Sequence, residues 1–140
     1  MRYWDTSALV TLVVIEPATT AMENLLAADP EIVTWWGTRV ECVSALARLE
    51  REGQLTPRGA AEAGRVFAEF RDAWRDVLPS DMVRETAERI VRTHPLRAAD
   101  AFQLAAALVA SEHRPANLAF VSLDKRLSEA ARREGFVRPQ

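Results

Sequence analysis

Short apolar runs alternate along this chain with longer segments that have helical spacing. Four runs are predicted to be strands, because each is brief, rich in β-branched or aromatic residues and bounded by polar or turn-forming residues. These runs cover residues 2–4, 32–36, 77–78 and 118–123, and a weaker fifth run covers residues 136–137.

The segments between the runs carry the end signals of helices. Thr56 followed by Pro57, and Ser80, are typical of helix starts, whereas Gly53 and Gly135 are typical of helix ends. Helices are predicted over residues 38–52, 57–74, 81–93, 97–111 and 125–134. The fourth of them, RAADAFQLAAALVAS, is apolar nearly all round and should be buried. Strands that alternate with helices predict an α/β fold with a parallel sheet and right-handed crossovers.

The composition is that of an ordinary globular protein. The chain has 140 residues, of which 49% are hydrophobic and 27% charged, and we expect residues 1–140 to form a single domain. Cys42 is the one cysteine, so an internal disulfide and a cysteine-based zinc cluster are excluded. No signal-like segment and no apolar run of membrane-spanning length is present, which predicts a cytoplasmic protein.

The charge argues against one class of function. A formal net charge of −2 lacks the basic footprint of a protein that holds nucleic acid by bulk electrostatics. It leaves open an enzyme whose acids are concentrated in one pocket and neutralised by a metal ion.

Acidic residues stand at the ends of predicted strands and the starts of predicted helices. Asp5 follows the first strand and Asp124 follows the strand LAFVSL, which puts both at the edge where parallel α/β sheets bind ligands. Each is also a good N-cap for the helix expected after it. Glu41 has an alternative of its own, because Thr38 and Glu41 match the capping box, in which the glutamate bonds the backbone of the cap residue.

A fourth acid, Asp100, lies early in the predicted buried helix among alanines and Phe102. A carboxylate there meets the positive end of the helix dipole, yet an unpaired charge in apolar surroundings is costly. Taken together, four carboxylates at one rim would repel one another and raise one another's pKa values unless a cation holds them. Oxygen ligands without His or Cys indicate Mg²⁺ or Mn²⁺ rather than zinc.

At this point the chain resembles a known family, the PIN-domain ribonucleases, and specifically a VapC-like toxin of a toxin–antitoxin pair. The resemblance covers essentially the whole chain and is carried, in order, by YWDTSALV, RVECVSALARLEREG, HPLRAADAFQLAAAL and FVSLDKRL. It implies a three-layer α/β/α fold around a central parallel sheet and a Mg²⁺-dependent endoribonuclease that leaves a 5′-phosphate and a 3′-hydroxyl. It further implies a homodimer that a small antitoxin protein inhibits.

The resemblance also assigns residues to the site. The family's catalytic and metal-binding acids fall on Asp5, Glu41, Asp100 and Asp124, with supporting hydroxyls at Thr6 and Ser122. Arg97 and Arg126 stand near two of these acids. They either grip substrate phosphates or balance the acids, and their place in the first turn of predicted helices favours phosphate.

Two classes of alternative remain: a phosphatase or receiver-like domain, and a PIN fold without catalysis. A haloacid-dehalogenase-like phosphatase also places acids at strand ends, but it needs a second acid two residues after the nucleophile, where this chain has Ser7. A receiver-like domain needs an adjacent acid pair after its first strand, which is absent. A PIN fold kept only as a scaffold or binding module is disfavoured by intact acids at all four positions.

Overall fold

Four short parallel strands form the centre of the fold. The computed structural model describes residues 1–139. The strands are β1 (Arg2–Trp4), β2 (Ile32–Trp35), β3 (Arg75–Val77) and β4 (Ala119–Val121), in the spatial order β3-β2-β1-β4. Tyr3 of β1 lies opposite Val33 of β2 on one side and Phe120 of β4 on the other. The parallel sheet predicted from the sequence is therefore confirmed.

Seven α-helices are found in the part of the chain that is described. They are α1 (Thr6–Val10), α2 (Thr19–Ala28), α3 (Thr38–Arg51), α4 (Pro57–Arg71), α5 (Asp81–Thr93), α6 (Ala98–Ala110) and α7 (Lys125–Arg133). Five of the seven, α3 to α7, match the residue ranges predicted from the sequence to within a few residues at each end. Within residues 1–139, no helix is both long and apolar enough to cross a membrane.

Three details of the prediction are wrong. The third strand is Arg75–Val77 rather than residues 77–78, because α4 already ends at Arg71 and frees the chain to pair with β2. The weak fifth strand is reduced to one bridge between Val137 and Ala119. Helix α2 was not predicted, and its N-cap, Ala18, makes no side-chain capping bond that would mark its start.

Each face of the sheet carries its own hydrophobic core. Neighbouring residues of a strand point to opposite faces, so Tyr3 packs with α5, α6 and α7 while Trp4 packs with α1, α3 and α4. Likewise Val33 belongs to the first core and Ile32 to the second. The result is the three-layer α/β/α arrangement that the resemblance implied.

The substitution Leu104→Ala tests how much the first core contributes to the stability of the fold. The side chain of Leu104 is fully buried in α6, so Leu104→Ala should lower the free energy of unfolding by about 2–5 kcal/mol through lost burial and an unfilled cavity. Met82→Ala, at a side chain 54% exposed on α5, is the control and should change it by less than about 0.5 kcal/mol. Urea unfolding followed by circular dichroism measures both, and equal effects would contradict the assignment of Leu104 to the core.

Candidate active site

Two of the predicted acids cap helices at the carboxyl ends of adjacent strands. Asp5 follows β1, and its Oδ1 accepts a hydrogen bond from the N–H of Ala8 at 3.3 Å. Asp124 follows β4, and its Oδ1 accepts from the N–H of Leu127 at 2.9 Å. Because β1 and β4 pair in register, the two carboxylates lie at one edge of the sheet. The capping interpretation is confirmed, and it is compatible with a second role, since each bond uses one of two carboxylate oxygens.

Two serines connect these acids. Ser7 Oγ donates to Asp5 Oδ1 at 2.8 Å and lies 3.4 Å from Ser122 Oγ. Ser122 Oγ in turn accepts from the N–H of Asp124 at 3.1 Å. The predicted Ser122 thus lies between the two acids. Ser7 was not predicted as part of the site. The sequence did contain a signal for it, because Ser7 stands two residues after Asp5, just as Ser122 stands two residues before Asp124.

The capping box predicted for Glu41 is wrong. Helix α3 begins at Thr38, its N-cap is Gly37, and no side chain caps it. The hydroxyl of Thr38 cannot serve as a cap because it is buried against Thr34 Oγ1 at 2.8 Å and accepts from Gln103 Nε2 at 2.9 Å.

Glu41 is therefore held by tertiary contacts instead. Its Oε1 accepts from the hydroxyl of Thr6 at 3.1 Å, and its Oε2 accepts from Gln103 Nε2 at 3.1 Å. The predicted supporting residue Thr6 is thus in direct contact with a predicted site acid. Gln103 was missed in the sequence, where the signal was a single amide in an otherwise apolar helical segment.

Asp100 lies in the first turn of α6 and does not cap it, since the N-cap is Arg97. Partial burial raises the pKa of Asp100, the charge of Asp124 raises it further, and the Arg97 guanidinium opposes the shift. Asp100 therefore lies within electrostatic reach of Asp124, as the sequence predicted for acids on a common rim.

The same kind of coupling links all four acids. Burial raises the pKa of Asp5 to about 7, against hydrogen bonds from Ser7, Ala8 and Ser122, and Asp124 adds to the rise. Burial also raises the pKa of Glu41, against its bonds from Gln103 and Thr6, and Asp100 adds to the rise. Electrostatic interactions therefore connect Asp5 with Asp124, Asp124 with Asp100, and Asp100 with Glu41.

The donor set fits a hard divalent cation. Carboxylate and hydroxyl oxygens are the ligands that Mg²⁺ and Mn²⁺ prefer, and a positive charge would offset both the burial that chiefly raises these pKa values and the smaller repulsion between the acids. Within residues 1–139, no three His, Cys, Asp or Glu side chains are grouped closely enough to hold a metal ion. The acids therefore share an edge without forming a closed cage.

Both predicted arginines are exposed beside this edge. Arg97 precedes the first turn of α6 and Arg126 lies in the first turn of α7. Neither forms an ion pair with another of residues 1–139. Arg126 also lines a pocket of about 230 Å³ together with Lys125 and with Arg133 and Glu129, which form an ion pair. The charges of Arg97 and Arg126 are thus available to an anion.

Comparison with known proteins gives consistent results. The family model described as "PIN domain" matches residues 2–133. Ribonuclease VapC45 of Mycobacterium tuberculosis is 31% identical over 133 residues, which are 95% of this chain and 90% of that protein. Ribonuclease VapC47 of the same species is 34% identical over 142 residues, covering 98% and 94% of the two chains.

A solved structure supports the fold. The crystal structure of Mycobacterium tuberculosis VapC20, described as a Sarcin-Ricin loop cleaving toxin, matches with a TM-score of 0.69 at 20% identity. The match covers 99% of this chain and 100% of that one. At this identity the likeness establishes the three-layer fold and no more.

The raised pKa of Asp5 predicts a pH dependence of stability. The folded protein keeps a proton on this carboxyl up to a pH of about 7, whereas the unfolded chain loses it near 3.8. The carboxyl's contribution to stability is therefore complete below the lower value and falls as the pH rises between the two. Asp5→Asn, which keeps a good N-cap, should match wild type near pH 4 and exceed its free energy of unfolding by about 1 kcal/mol or more at pH 7.5.

Urea unfolding in a chelating buffer measures this difference across the pH range. Asp29→Asn is the control, because a hydrogen bond from the N-terminus lowers the pKa of Asp29. The contribution of Asp29 to stability is therefore lost as the pH falls, in the opposite direction to that of Asp5. Parallel pH profiles for wild type and Asp5→Asn would show that Asp5 ionises normally.

Proposed function

We propose that this chain, which belongs to the PIN-domain family and within it to the VapC ribonucleases, is a Mg²⁺- or Mn²⁺-dependent endoribonuclease toxin. The observation that carries the proposal is the set of four carboxylates at the carboxyl edge of the sheet, three of them with raised pKa values. Their mutual repulsion is a cost that a divalent cation would relieve. The names of the curated relatives support ribonuclease as the activity.

Asp5, Glu41, Asp100 and Asp124 would hold the cation. When bound, a divalent cation supplies Lewis acidity that activates water and offsets the charge developing on a phosphodiester. The protein's own part is to hold the ligands in place. Ser7 and Ser122 restrain Asp5, and the start of α7 restrains Asp124. Oxygen atoms fixed in this way lose little freedom when a cation and a substrate arrive.

The substrate side of the site is assigned to Arg97 and Arg126. An RNA strand presents a phosphate at every nucleotide, and both guanidinium groups are exposed without an ion-pair partner in residues 1–139. Each lies at the start of a helix, where the helix dipole already favours an anion. Phosphate contacts of this kind give affinity without base specificity.

The remaining parts of the proposal come from the family resemblance. They are a single PIN-like domain over residues 1–140, products with a 5′-phosphate and a 3′-hydroxyl, a homodimer, and inhibition by a cognate antitoxin protein. We assign the protein to the cytoplasm because an RNA-cleaving toxin meets its substrate there.

Glu41→Gln tests the site directly. Glutamine keeps the shape of the side chain and can still bond Thr6 and Gln103, so the fold should survive. It loses the charge that a cation needs, so RNA cleavage should fall by about 100-fold or more and calorimetric binding of Mn²⁺ should weaken. Glu69→Gln, at an exposed glutamate on α4, should behave as wild type.

Full cleavage by a folded Glu41→Gln protein would remove Glu41 from the site. A wild-type protein that neither binds Mn²⁺ nor cleaves RNA would instead favour the PIN-fold scaffold.

Arg97→Ala and Arg126→Ala test the substrate side. Removing one contact to a single-stranded phosphate should flatten the slope of log affinity against log salt by about 0.7 and leave the cleaved bond unchanged. Arg58→Ala, at an exposed arginine in the first turn of α4, should leave the slope as it is. RNA affinity measured at several salt concentrations distinguishes the roles, since a lower melting temperature with an unaltered slope means that the arginine is structural.

A further inference from the structure

Gln103 is the buried polar residue that the fold brings to the acidic edge. It lies in the middle of α6, 1% exposed, among fully buried Leu104 and alanines. An amide in such surroundings is costly unless it is hydrogen-bonded. Here both of its polar atoms are engaged: Oε1 accepts from the hydroxyl of Tyr3 at 2.6 Å, and Nε2 lies within hydrogen-bonding distance of three acceptors. These acceptors are Thr38 Oγ1 at 2.9 Å, Glu41 Oε2 at 3.1 Å and Thr6 Oγ1 at 3.2 Å.

The partners of Gln103 determine which way its amide points. An ionised carboxylate only accepts hydrogen bonds, so the –NH₂ group must face Glu41, and the reverse orientation would place two oxygens against each other. At the other end Tyr3 is fully buried, and its neutral hydroxyl, 2.6 Å from Oε1, donates to that oxygen. The hydrogen bonds therefore all point the same way: Tyr3 donates to Gln103, and Gln103 donates to Glu41.

We infer that Gln103 is a positioning residue that holds the carboxylate of Glu41 at the metal-binding edge, with Tyr3 holding the amide in turn. This inference rests on the proposed function. Thr6 binds one oxygen of Glu41, Gln103 binds the other, and Gln103 also bonds Thr6. The carboxylate is thereby fixed at both oxygens by groups from α1 and α6, against repulsion from Asp100.

The same helix offers a matched control. Ser111 follows the last residue of α6, is also buried, and bonds only within its own turn, to the carbonyl of Leu108 at 2.9 Å. Ser111→Ala removes one buried side-chain hydrogen bond far along the helix from Glu41. Gln103→Met removes the bond to Glu41, together with those to Tyr3, Thr6 and Thr38, and keeps an unbranched side chain of similar size.

The experiment compares Mn²⁺ affinity by calorimetry, RNA cleavage and melting temperature in wild type, Gln103→Met and Ser111→Ala. Losing a hydrogen-bonding partner of a metal ligand typically weakens metal binding 10- to 100-fold, so we expect a loss of about that size in Gln103→Met. Its cleavage should recover toward wild type as the Mn²⁺ concentration rises, a response that a merely loosened fold would not give. Ser111→Ala should keep wild-type affinity for Mn²⁺.

Tyr3→Phe serves as a second variant, which decides the matter where Gln103→Met does not fold. It removes only the hydroxyl that orients the amide, so Mn²⁺ affinity should fall by several-fold. Wild-type affinity in the folded variants, with a wild type that binds Mn²⁺ and cleaves RNA, overturns the inference and leaves the proposed function standing. A wild-type protein that neither binds Mn²⁺ nor cleaves RNA overturns both the inference and the proposed function.

Discussion

The burial of Asp5 at the carboxyl edge of a parallel sheet, beside a second carboxylate, Asp124, is the constraint on which the rest of this structure depends. Asp5 is 4% exposed, and burial, with a smaller contribution from the charge of Asp124, raises its pKa to about 7. The surrounding hydroxyl and amide donors offset part of this cost but supply no positive charge. A cation that binds at this edge would offset this cost and so stabilise the folded state.

The two cores of the sheet make this placement possible. Tyr3 and Trp4 point into opposite cores, so β1 is packed from both sides and Asp5 leaves it in a defined direction. The first core brings α6 against the sheet closely enough for Gln103 to reach Tyr3, Thr6 and Glu41 at once. Apolar packing thus sets the positions of polar atoms that are far apart in the sequence.

Capping and metal binding are not exclusive explanations of the same acids. Asp5 and Asp124 each stabilise the start of a helix through one oxygen, and this bond also restrains the carboxylate as a ligand. The capping box at Glu41 failed for a different reason. Predicting a capping box from sequence assumes that the side chain of the cap residue is free to bond the backbone next to it. The hydroxyl of Thr38 is instead hydrogen-bonded to Thr34 and Gln103.

The sequence by itself determined the elements and the acids. Short apolar runs and helical apolar spacing are local properties, and they predicted the parallel α/β class, most of the helices and the strand-end positions of Asp5 and Asp124. Helix α2 and the start of β3 escaped because no capping bond marks α2 and because β3 is defined by its pairing with β2. Only the tertiary structure decided what holds Glu41. Gln103 lies 62 residues from it in the chain, and their hydrogen bond exists because packing α6 on the sheet brings the buried amide within reach of the carboxylate.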